Sequence, residues 1–512
     1  MMTAPSLQQV ALMDLLIGVD VIGDVPPVMI RAVSMDSRCV TAGSLFLACA
    51  GQQTHGLEYL QQAVVNGASA VLAEVSSCYL PEDIARLSSD VGVPVIPVSE
   101  LTSIVSLIAG RFYQHPSRKI PVIGITGTNG KSSSSLFIAN AFADIRKVAV
   151  LGTLGNGFPE ELQPSTHTTM DPVSVQSTLA ALYVRQAEMV AMEVSSHALH
   201  QGRVADVDFD MAVLTNFSRD HLDYHGTMAD YAEAKSLLFK MSSLKSTLIN
   251  ADDELGQRLI KDLENSPVRV VAYAMQATSQ SLKDLSGVDA WIKAHDVELS
   301  TSGVRFGLES SWGNADIELP LMGRFNVYNA CVALGVMLEC GVEFEQALEG
   351  LRRLKSVNGR MEVFRTADKP VVVVDFAHTP DALEQALSSL RSHVDGKLFC
   401  VFGCGGDRDK GKRPLMGAIA ERKADSVMLT SDNPRSEDPM QIIDDILKGF
   451  SQPEKAIIES SRARAIELAI KNAGPGDLVL VAGKGHENVQ VVGDLKIPFS
   501  DQQTVISVLE GM

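Results

Sequence analysis

One short segment, GITGTNGKSS at positions 124–133, constrains the fold of this chain more than any other feature. An apolar, strand-like run enters it, a glycine-rich turn follows, and a helical pattern begins at Lys131. Gly124, Gly127 and Gly130 allow backbone N–H groups to curl around an anion without clashes from Cβ atoms. The start of the following helix adds partial positive charge. The segment therefore predicts a phosphate-binding loop between a strand and a helix.

Composition narrows the class of protein. Hydrophobic residues make up 46% of the 512 residues and charged residues 21%, which is typical of a globular chain with several cores. The net charge of −18 argues against non-specific binding of nucleic acid or anionic lipid. The seven cysteines form no paired CxxC array, which favours reduced thiols over disulfides or zinc. The N-terminal segment has no basic region and no long apolar run, so we expect a cytoplasmic protein without membrane insertion.

The order of strand-like and helix-like runs predicts an α/β fold with three domains. Residues 1–98 alternate short apolar runs with turns, as in a small α/β domain. Residues 99–352 contain the glycine-rich loop and predict a central domain with a parallel sheet, and residues 353–512 predict a C-terminal Rossmann-like α/β domain. Strand-like runs of the two larger domains lie at 148–154, 189–196, 211–218, 370–377, 397–403, 426–432 and 477–484. Polar residues follow almost all strands of the C-terminal domain, at the edge where open α/β sheets bind ligands.

The glycine-rich loop has the residues that phosphoryl chemistry needs. Lys131 is placed to reach the β- and γ-phosphates of a nucleotide, and the Ser132 hydroxyl to ligate Mg²⁺. Residue 125 is Ile, where the strict GxxxxGK[ST] pattern has Gly. The alternative interpretation is an ordinary glycine-rich turn between a strand and a helix.

Nine further blocks accompany the loop. They are MEVSSHAL (192–199), NFSRDHLDYHG (216–226), YAEAKSLLF (231–239), GRFNVYNA (323–330), NGRME (358–362), DFAHTPDAL (375–383), GCGGDRDKGKRP (403–414), DNPRSEDP (432–439) and AGKGHE (482–487). Together with GTNGKSS, and in this order, they resemble the motifs of the Mur ligase family. The resemblance implies three domains, for the UDP part of a substrate, for ATP and for an amino acid. It implies an ATP-dependent, ADP-forming amide ligase of peptidoglycan synthesis, and so a role in cell-wall biogenesis, cell shape, cell division and the cell cycle.

The resemblance assigns an ATP site and a catalytic set. The ATP-binding residues would be Gly127, Thr128, Asn129, Gly130, Lys131, Ser132, Ser133, Asn326, Asn329, Arg360, Asp375 and His378. The catalytic residues would be Lys131, Glu193, Lys235 and His221. Magnesium would be held by Ser132, Glu193, His221 and the carbamate of Lys235. Without the resemblance, Glu193 would be interpreted as a partner in a salt bridge at a strand end, and His221 as a structural histidine.

Lys235 corresponds to a lysine that is carbamylated in this family, as N6-carboxylysine. A carbamate replaces a cation with an anion whose oxygens can contact a metal or orient a phosphoryl group. Addition of CO₂ needs the neutral amine, which is scarce at pH 7 for an ordinary lysine pKa of about 10.4. Burial or a neighbouring charge would lower that pKa. Without the resemblance, Lys235 reads as an exposed lysine on a helix.

The resemblance also implies a site for a UDP-linked muramoyl dipeptide, UDP-N-acetylmuramoyl-L-alanyl-D-glutamate. Its candidate residues are Ser37, Thr168, Thr169, Ser195 and Arg203. Gln52 and His55 depart from the family pattern, which puts the uracil and pyrophosphate contacts in doubt. Met170 stands where the family pattern has Pro, a change expected to alter the stiffness of that loop.

The DNPR motif indicates which amino acid is added. Members of the family that add meso-diaminopimelate have DNPR, and those that add L-lysine lack the Arg. Arg435 and Arg408 can fork onto the distal carboxylate of diaminopimelate, and Glu487 can pair with its ammonium. The candidate diaminopimelate-binding residues are Arg408, Asp432, Asn433, Pro434, Arg435, Gly483 and Glu487. The alternative interpretations are a turn for DNPR and a glycine-rich strand exit for GKGHE.

Three other functions remain open at this stage. The first is a Mur ligase that adds L-lysine, against which DNPR argues. The second is a ligase like folylpolyglutamate synthetase, against which the N-terminal domain and the DNPR and GKGHE pair argue. The third is a non-catalytic nucleotide-binding protein, disfavoured by the presence of Lys131, Glu193 and Lys235. We expect a monomer that uses ATP, Mg²⁺, the UDP-muramoyl dipeptide and meso-diaminopimelate, and that binds no nucleic acid.

Overall fold

The computed structural model describes residues 9–51, 54–165 and 167–511. Two interpretations from the sequence concern residues outside these ranges. One is the character of the N-terminal segment, of which residues 1–8 are a part, and the other is the departure from the family pattern at Gln52. The chain forms two compact units. The first contains the residues up to Tyr273 with 280–291 and 335–340, and the second contains 274–279, 292–334 and 341–512.

The N-terminal part of the first unit is a four-stranded parallel sheet. Its elements are β1 (Val10–Ala11), α1 (Leu12–Leu15), β2 (Met29–Ile30), β3 (Ala32–Ser34), β4 (Ser44–Ala48), α2 (Leu60–Val65), β5 (Ala68–Glu74), α3 (Pro81–Val91), β6 (Val95–Val98) and α4 (Leu101–Phe112). The sheet order is β3-β4-β5-β6. Leu45 and Leu47 of β4 pack with α4 on one face, and Phe46 and Ala48 pack with α2 on the other. This alternation along one strand is why helices cover both faces.

The rest of the first unit surrounds a larger sheet. Its elements are β7 (Val122–Thr126), α5 (Lys131–Ala141), β8 (Val148–Gly152), β9 (Gly155–Gly157), α6 (Pro172–Val184), β10 (Met189–Glu193), α7 (Ser196–His200), β11 (Met211–Leu214), α8 (Leu222–His225), α9 (Met228–Ser236), β12 (Ser246–Asn250), α10 (Glu254–Leu263), β13 (Arg269–Ala274) and α11 (Ser279–Lys283). The order is β13-β12-β11-β7-β10-β8-β9, parallel except for β9. Strands β7, β8, β10, β11 and β12 are buried throughout, as expected for a parallel sheet covered on both faces.

The second unit combines an antiparallel strand group with a doubly wound sheet. Its elements are β14 (Ala290–Ser300), β15 (Gly303–Ser310), β16 (Asn314–Leu319), α12 (Phe325–Glu339), α13 (Phe344–Arg352), β17 (Glu362–Phe364), β18 (Val371–Asp375), α14 (Pro380–Arg391), β19 (Leu398–Phe402), α15 (Lys412–Lys423), β20 (Ser426–Leu429), α16 (Pro439–Leu447), β21 (Ile457–Ile458), α17 (Arg462–Asn472), β22 (Leu478–Ala482), β23 (Val489–Val492), β24 (Leu495–Pro498) and α18 (Asp501–Gly511). The C-terminal sheet has the order β17-β18-β22-β19-β20-β21 and is parallel from β18 to β21.

Strand β19 shows why this sheet is covered on both sides. Leu398, Cys400 and Phe402 join the core beneath α14, α15 and α16, whereas Phe399 and Val401 join the core beneath α17 and α18. The predicted α/β class with parallel sheets is therefore confirmed. None of the described helices is long and apolar enough to cross a membrane.

The helix that follows β4 begins with a tighter turn. A 3₁₀ turn, Gly56–Tyr59, precedes the short helix α2. His55 caps this turn, because its Nδ1 accepts the Leu57 N–H at 3.1 Å while Glu58 Oε1 accepts the His55 N–H at 3.0 Å. The departure from the family pattern at residue 55 thus retains a side chain that can cap the turn.

One fully buried ion pair supports the C-terminal sheet. Arg462, at the start of α17, and Asp501, at the start of α18, form two hydrogen bonds of 2.7 Å, and neither side chain is exposed. Arg462 Nη2 also donates to the Ala482 carbonyl at the end of β22. The pair therefore joins two helices to the strand that leads into the GKGHE motif.

Removing one partner of this pair is expected to destabilise the protein strongly. Asp501→Ala leaves the Arg462 charge buried without its carboxylate, which costs about 3–5 kcal/mol. The double variant R462M/D501L removes both charges and is expected to lose less. Urea unfolding of wild type and both variants measures the difference. A single variant that loses less free energy of unfolding than the double variant would contradict this account.

Candidate functional site

Three adjacent strands of the central sheet end at one edge and bring most of the predicted residues of the first unit there. β10 and β11 lie on either side of β7, with Glu193 opposite Ile125 and Leu214 opposite Thr126. The carboxyl ends of parallel strands share an edge, which is where open α/β sheets bind ligands. Glu193, the glycine-rich loop and segment 215–218 consequently lie at the same edge.

The glycine-rich loop has the backbone shape that an anion-binding turn needs. Gly127 and Gly130 have φ angles of +150° and +86°. A Cβ at Gly127 would lie 1.9 Å from Thr215 Oγ1, so a larger residue does not fit without a shift. Helix α5 begins at Lys131, as the sequence predicts. The start of a helix directs backbone N–H groups and partial positive charge outward, which makes this end suited to a phosphate.

The loop is fixed by residues that follow β11. Thr215 Oγ1 donates to the Asn129 carbonyl at 2.6 Å, and Asn216 Nδ2 donates to the same oxygen at 2.9 Å. Asn216 Oδ1 accepts the Asn129 N–H at 2.9 Å, and the Asn216 carbonyl accepts the Thr128 N–H at 2.8 Å. The turn is therefore held in place from the neighbouring strand.

Two lysines meet on one carbonyl of this loop. Lys131 Nζ lies 2.8 Å from the Gly127 oxygen, and Lys235 Nζ, from helix α9, lies 2.9 Å from it. Lys235 is buried, with its ammonium 4.5 Å from the centroid of the Tyr231 ring. Burial, with the nearby charge of Lys131, lowers the pKa of Lys235 well below its ordinary value. The interpretation of Lys235 as an exposed helix lysine is wrong, because this side chain is 1% exposed.

Glu193 is held by a residue that sequence reasoning missed. Its Oε1 accepts the Thr153 N–H at 2.8 Å, and its Oε2 lies 3.2 Å from Thr153 Oγ1. A Cβ at Gly152 would lie 2.0 Å from the same carboxylate, so glycine there makes room for it. Thr153 Oγ1 also lies 3.1 Å from Thr168 Oγ1, within hydrogen-bond distance. Thr153 thus connects the predicted metal ligand with a predicted substrate residue.

Four of the five predicted residues for the UDP-linked substrate lie together. Thr169 Oγ1 donates to the Glu193 carbonyl at 2.9 Å and accepts the Ser195 N–H at 3.0 Å. Arg203 Nη1 donates to the Thr169 carbonyl at 2.8 Å. Gln201, which sequence reasoning did not select, accepts two hydrogen bonds from the Arg203 guanidinium.

Ser37, the fifth residue, belongs to the N-terminal sheet region. Its hydroxyl donates to Gln62 Oε1 at 2.7 Å, and its carbonyl accepts from Asn66 Nδ2 at 2.8 Å. Both partners lie on or next to α2, so Ser37 is held in place by this helix.

His221 lies in a group of aromatic rings. It has a φ angle of +52° before the short helix α8, and its ring centroid lies 4.9 Å from that of His197. Its side chain is 45% exposed. Burial, with the charges of His221 and His225, lowers the pKa of His197 to about 4. His221 is therefore the more accessible of the two rings to a ligand.

The predicted nucleotide residues of the second unit include two buried asparagines. Asn329 Nδ2 donates to Asn326 Oδ1 at 2.9 Å, and Asn326 Nδ2 donates to the Met322 carbonyl at 2.7 Å. Both lie on the first turns of α12. Asn326 is 5% and Asn329 3% exposed, so neither residue faces solvent.

The other three nucleotide candidates surround Phe376, at the end of β18. Arg360 lies with its guanidinium carbon 4.9 Å from the Phe376 ring centroid, and the His378 ring lies 4.6 Å from it. Asp375 accepts the N–H groups of Met361 and Ala377 at 2.8 and 2.9 Å. Burial raises the pKa of this carboxyl. Asp375 thus joins the NGRME loop to the strand end.

The two predicted substrate arginines flank one glycine. A Cβ at Gly405 would lie 2.9 Å from Arg435 Nη1 and 3.6 Å from Arg408 Cγ. Arg435 Nη1 donates to the Gly406 carbonyl at 2.7 Å, and Arg408 is exposed. The structure therefore places the two arginines of separate motifs beside the same glycine.

A buried arginine joins the two loops that carry Arg408 and Arg435. Arg413 is fully buried and forms ion pairs of 2.9 Å with Glu437 and with Asp445, and its Nη2 donates to the Gly405 carbonyl at 3.3 Å. The Arg413 guanidinium lowers the pKa of Glu437 to about 2. Sequence reasoning did not select Arg413.

The anionic part of the predicted amino-acid site forms one hydrogen-bonded group. Asn433 Nδ2 donates to Glu487 Oε2 at 2.8 Å, and Lys484 Nζ lies 3.1 Å from the same oxygen. Asp432 is 9% exposed, and a Cβ at Gly483 would lie 2.7 Å from its Oδ2. Residues of the DNPR and GKGHE motifs are thus in contact, although about 50 positions separate them in sequence.

Comparisons with known proteins agree with this arrangement. The chain matches the Mur ligase catalytic domain over residues 29–113, the Mur ligase middle domain over 125–337 and the Mur ligase glutamate ligase domain over 359–485. It is 45% identical to the UDP-N-acetylmuramoyl-L-alanyl-D-glutamate–2,6-diaminopimelate ligase of Alkalilimnicola ehrlichii, covering 94% of this chain and 95% of that protein. The chain belongs to the Mur ligase family.

Two further relatives cover nearly all of the chain. The ligase of the same name from Coxiella burnetii is 44% identical, over 93% of this chain and 94% of its own. A solved structure of a UDP-N-acetylmuramoyl-L-alanyl-D-glutamate–2,6-diaminopimelate ligase has a TM-score of 0.71 and 34% identity, covering 98% of this chain and 99% of its own. The Mur ligase fold is therefore confirmed for the whole length of the chain.

The edge of the central sheet has donors that suit the Mg²⁺ expected in a Mur ligase. Glu193 supplies an oriented carboxylate, and Ser132 stands at the start of the phosphate loop's helix. In the described ranges, no three His, Cys, Asp or Glu side chains form a metal-binding group. Mg²⁺ at nucleotide sites takes one or two carboxylates and completes its shell with phosphate and water oxygens.

Thr153→Val is expected to weaken binding of the magnesium–nucleotide complex. The backbone N–H bond to Glu193 remains, but the hydroxyl bonds to Glu193 and Thr168 are lost. A hydrogen bond to a charged group contributes about 1.5–3 kcal/mol, so affinity should fall about 10- to 100-fold. Calorimetric titration with a non-hydrolysable ATP analogue, with and without Mg²⁺, measures this change. Thr247→Val, a buried threonine of β12, is the matched control. Equal losses in both variants would mean that Thr153 does not orient the carboxylate.

Proposed function

We propose that this chain is an ATP-dependent, ADP-forming ligase that joins meso-diaminopimelate to UDP-N-acetylmuramoyl-L-alanyl-D-glutamate in cytoplasmic peptidoglycan synthesis. The observation that carries the proposal is the pair Arg408 and Arg435 around Gly405, with Glu487 in the same unit. Diaminopimelate differs from lysine by a distal carboxylate, which two guanidinium groups can bind with paired hydrogen bonds. Relatives 44–45% identical over nearly the full chain carry the name of this reaction.

The first step transfers the γ-phosphoryl group of ATP to the carboxylate of the dipeptide. A carboxylate oxygen forms the new bond to phosphorus, the bond to the β-phosphate oxygen breaks, and ADP leaves. Such a reaction depends mainly on positioning and on neutralising charge. The loop N–H groups and Lys131 would hold the phosphates, and Asn326, Asn329, Arg360, Asp375 and His378 would bind the rest of the nucleotide.

Mg²⁺ bound by Ser132, Glu193, His221 and a carbamate on Lys235 would neutralise phosphate charge at this edge. The proposal for Lys235 rests on its burial and its lowered pKa. A neutral amine has the lone pair that adds to CO₂, and the Gly127 carbonyl 2.9 Å away keeps the nitrogen at the loop. The resulting carbamate would replace the repulsion between Lys131 and Lys235 with an attraction.

The second step forms the amide bond. The amine nitrogen of the amino acid attacks the acyl carbon, phosphate leaves from it, and the amine loses a proton. Thr168, Thr169, Ser195 and Arg203 would hold the dipeptide end of the UDP-linked substrate beside Glu193. Ser37 would contact the uridine end in the N-terminal sheet region.

The amino acid would be selected by charges of both signs. Arg408 and Arg435 would bind the distal carboxylate, and Glu487 the neighbouring ammonium. Asp432, Asn433, Pro434 and Gly483 would complete the walls. L-Lysine carries an ammonium without the carboxylate, so an arginine at this place would repel it.

The organisation that we propose follows from these roles. Residues 1–98 would bind the UDP part, 99–352 ATP, and 353–512 the amino acid. We infer a monomer in the cytoplasm that takes small-molecule substrates and neither binds nucleic acid nor inserts into a membrane.

Arg435→Ala tests the choice of amino acid. Truncating one side of a buried charged contact costs about 2–5 kcal/mol, so kcat/KM for meso-diaminopimelate should fall roughly 10¹·⁵- to 10³·⁵-fold. L-Lysine should lose far less, and the KM for ATP should barely change. The measurement is phosphate release and product mass with both amino acids, in wild type and variant. Equal losses for both amino acids would mean that Arg435 is structural, and efficient use of lysine by wild type would disprove the assignment.

Lys235→Ala tests the carbamate. Turnover should be nearly abolished, because the buried anion at the phosphate loop is lost. Short-chain carboxylic acids added to this variant should restore part of the activity by occupying the space of the carbamate. Lys240→Ala, an exposed lysine next to the same helix, is the control and should stay active. Wild-type turnover in Lys235→Ala would contradict the modification. So would a wild-type protein whose native mass spectrum and electron density show no added CO₂ on Lys235.

A further inference from the structure

Lys484, the second residue of the GKGHE motif, has a fully buried side chain without an assigned role. It follows β22, and its ammonium donates to Asn433 Oδ1 at 3.0 Å and to Glu487 Oε2 at 3.1 Å. A buried charge is costly unless it is paired and hydrogen-bonded. Here both partners are residues of the proposed amino-acid site.

The contacts of Lys484 determine how Asn433 and Glu487 are oriented. Asn433 Oδ1 accepts from Lys484 and also from the Val491 N–H at 2.9 Å, so the amide NH₂ points the other way. That group donates to Glu487 Oε2 at 2.8 Å. Glu487 Oε2 therefore accepts two hydrogen bonds. Its Oε1 makes none within the described ranges, and the side chain is 34% exposed. One oxygen of Glu487 is held and the other remains accessible to a ligand.

Lys484 belongs to a group of five charged side chains. Two cations, Arg462 and Lys484, face three carboxylates, Asp432, Glu487 and Asp501. Burial raises the pKa of Asp432, and the charges of Arg462 and Lys484 oppose that rise. With all five side chains ionised, this group has one excess negative charge, which a substrate ammonium would neutralise. Without Lys484 the excess would be two, and Asp432 and Glu487 would repel each other more strongly.

The hairpin formed by β23 and β24 secures the same motif from a second side. Gln490 Nε2 donates to the Asp432 carbonyl at 2.7 Å. The Arg435 N–H donates to the Val491 carbonyl at 3.0 Å, and the Gly493 N–H donates to the Arg435 carbonyl at 2.7 Å. Arg435 has a φ angle of +51°, so its backbone needs such support.

We propose that Lys484, assisted by Gln490, is a positioning residue of the amino-acid site. Its buried ammonium holds one oxygen of Glu487 and the amide of Asn433, so that the second oxygen of Glu487 meets the ammonium at the distal end of the amino acid. This inference rests on the proposed function. It adds a determinant of amino-acid affinity that does not itself touch the substrate.

The test compares Lys484→Met and Gln490→Leu with wild type in two measurements. One is steady-state turnover with each of the three substrates varied. The other is direct calorimetric binding of meso-diaminopimelate to the enzyme with the UDP-dipeptide and a non-hydrolysable ATP analogue. Lys369→Met is the matched control, because Lys369 donates to the Leu509 carbonyl at 2.8 Å and is bonded to none of these residues.

For Lys484→Met we expect the KM and Kd for meso-diaminopimelate to rise about 10- to 100-fold, as for loss of hydrogen bonds to charged groups. The KM for ATP and for the UDP-dipeptide should stay within about twofold, and kcat should fall less than the KM rises, since the reacting amine is at the other end of the substrate. Gln490→Leu should show the same pattern with a smaller rise. The control should behave as wild type.

The alternative outcomes are distinguishable. Wild type that binds meso-diaminopimelate without joining it to the dipeptide would overturn the proposed function, while the Kd of the variants would still test the positioning role. Folded variants with an unchanged Kd would overturn the inference alone, and so would equal losses for all three substrates. Wild type that binds no meso-diaminopimelate would overturn both. If Lys484→Met does not fold, the Kd of Gln490→Leu for meso-diaminopimelate tests the positioning role.

Discussion

The register of three neighbouring parallel strands is the constraint on which the central site depends. Because β10 and β11 pair with β7 on its two sides, Glu193, the glycine-rich loop and segment 215–218 all leave the sheet at one edge. No single one of these segments would make a site. The loop supplies N–H groups, the strand on one side supplies a carboxylate, and the strand on the other side supplies Thr215 and Asn216, which hold the loop.

The same edge explains the unusual state of Lys235. Helix α9 brings its amine onto the Gly127 carbonyl, next to Lys131 and over the Tyr231 ring. Burial and a neighbouring cation both favour the neutral amine, which is the reverse of what an exposed helix lysine experiences. Two ammonium groups on one carbonyl repel each other, unless one of the two lysines loses or reverses its charge. Carbamylation is one such change, and it would supply an anion where phosphate charge has to be organised.

Sequence patterns predicted the parts of this protein that are local. The strand, loop and helix of residues 122–141 and the helical position of Lys235 are correct, because glycine placement and apolar periodicity reflect short-range geometry. Contacts between distant segments gave no local signal. Thr153 holds Glu193 across 40 positions, and Lys484 is bonded to Asn433 across 51. His55 departs from the family pattern in the sequence, and the folded geometry shows that it caps the following turn.

The second unit handles charge differently from the first. The glycine-rich loop offers backbone N–H groups and lysine to an anion, whereas the proposed amino-acid site has two arginines beside Gly405 and the carboxylates of Asp432 and Glu487. A zwitterionic end of a substrate can pair with both the arginines and the carboxylates, whereas an ammonium alone can pair only with the carboxylates. Keeping two carboxylates close without a ligand requires a buried cation, because desolvation removes the screening that water provides. Lys484 meets that requirement. Arg462, buried in its pair with Asp501, donates to the carbonyl of Ala482, two residues before Lys484, so the position of the GKGHE motif is linked to the packing of two helices.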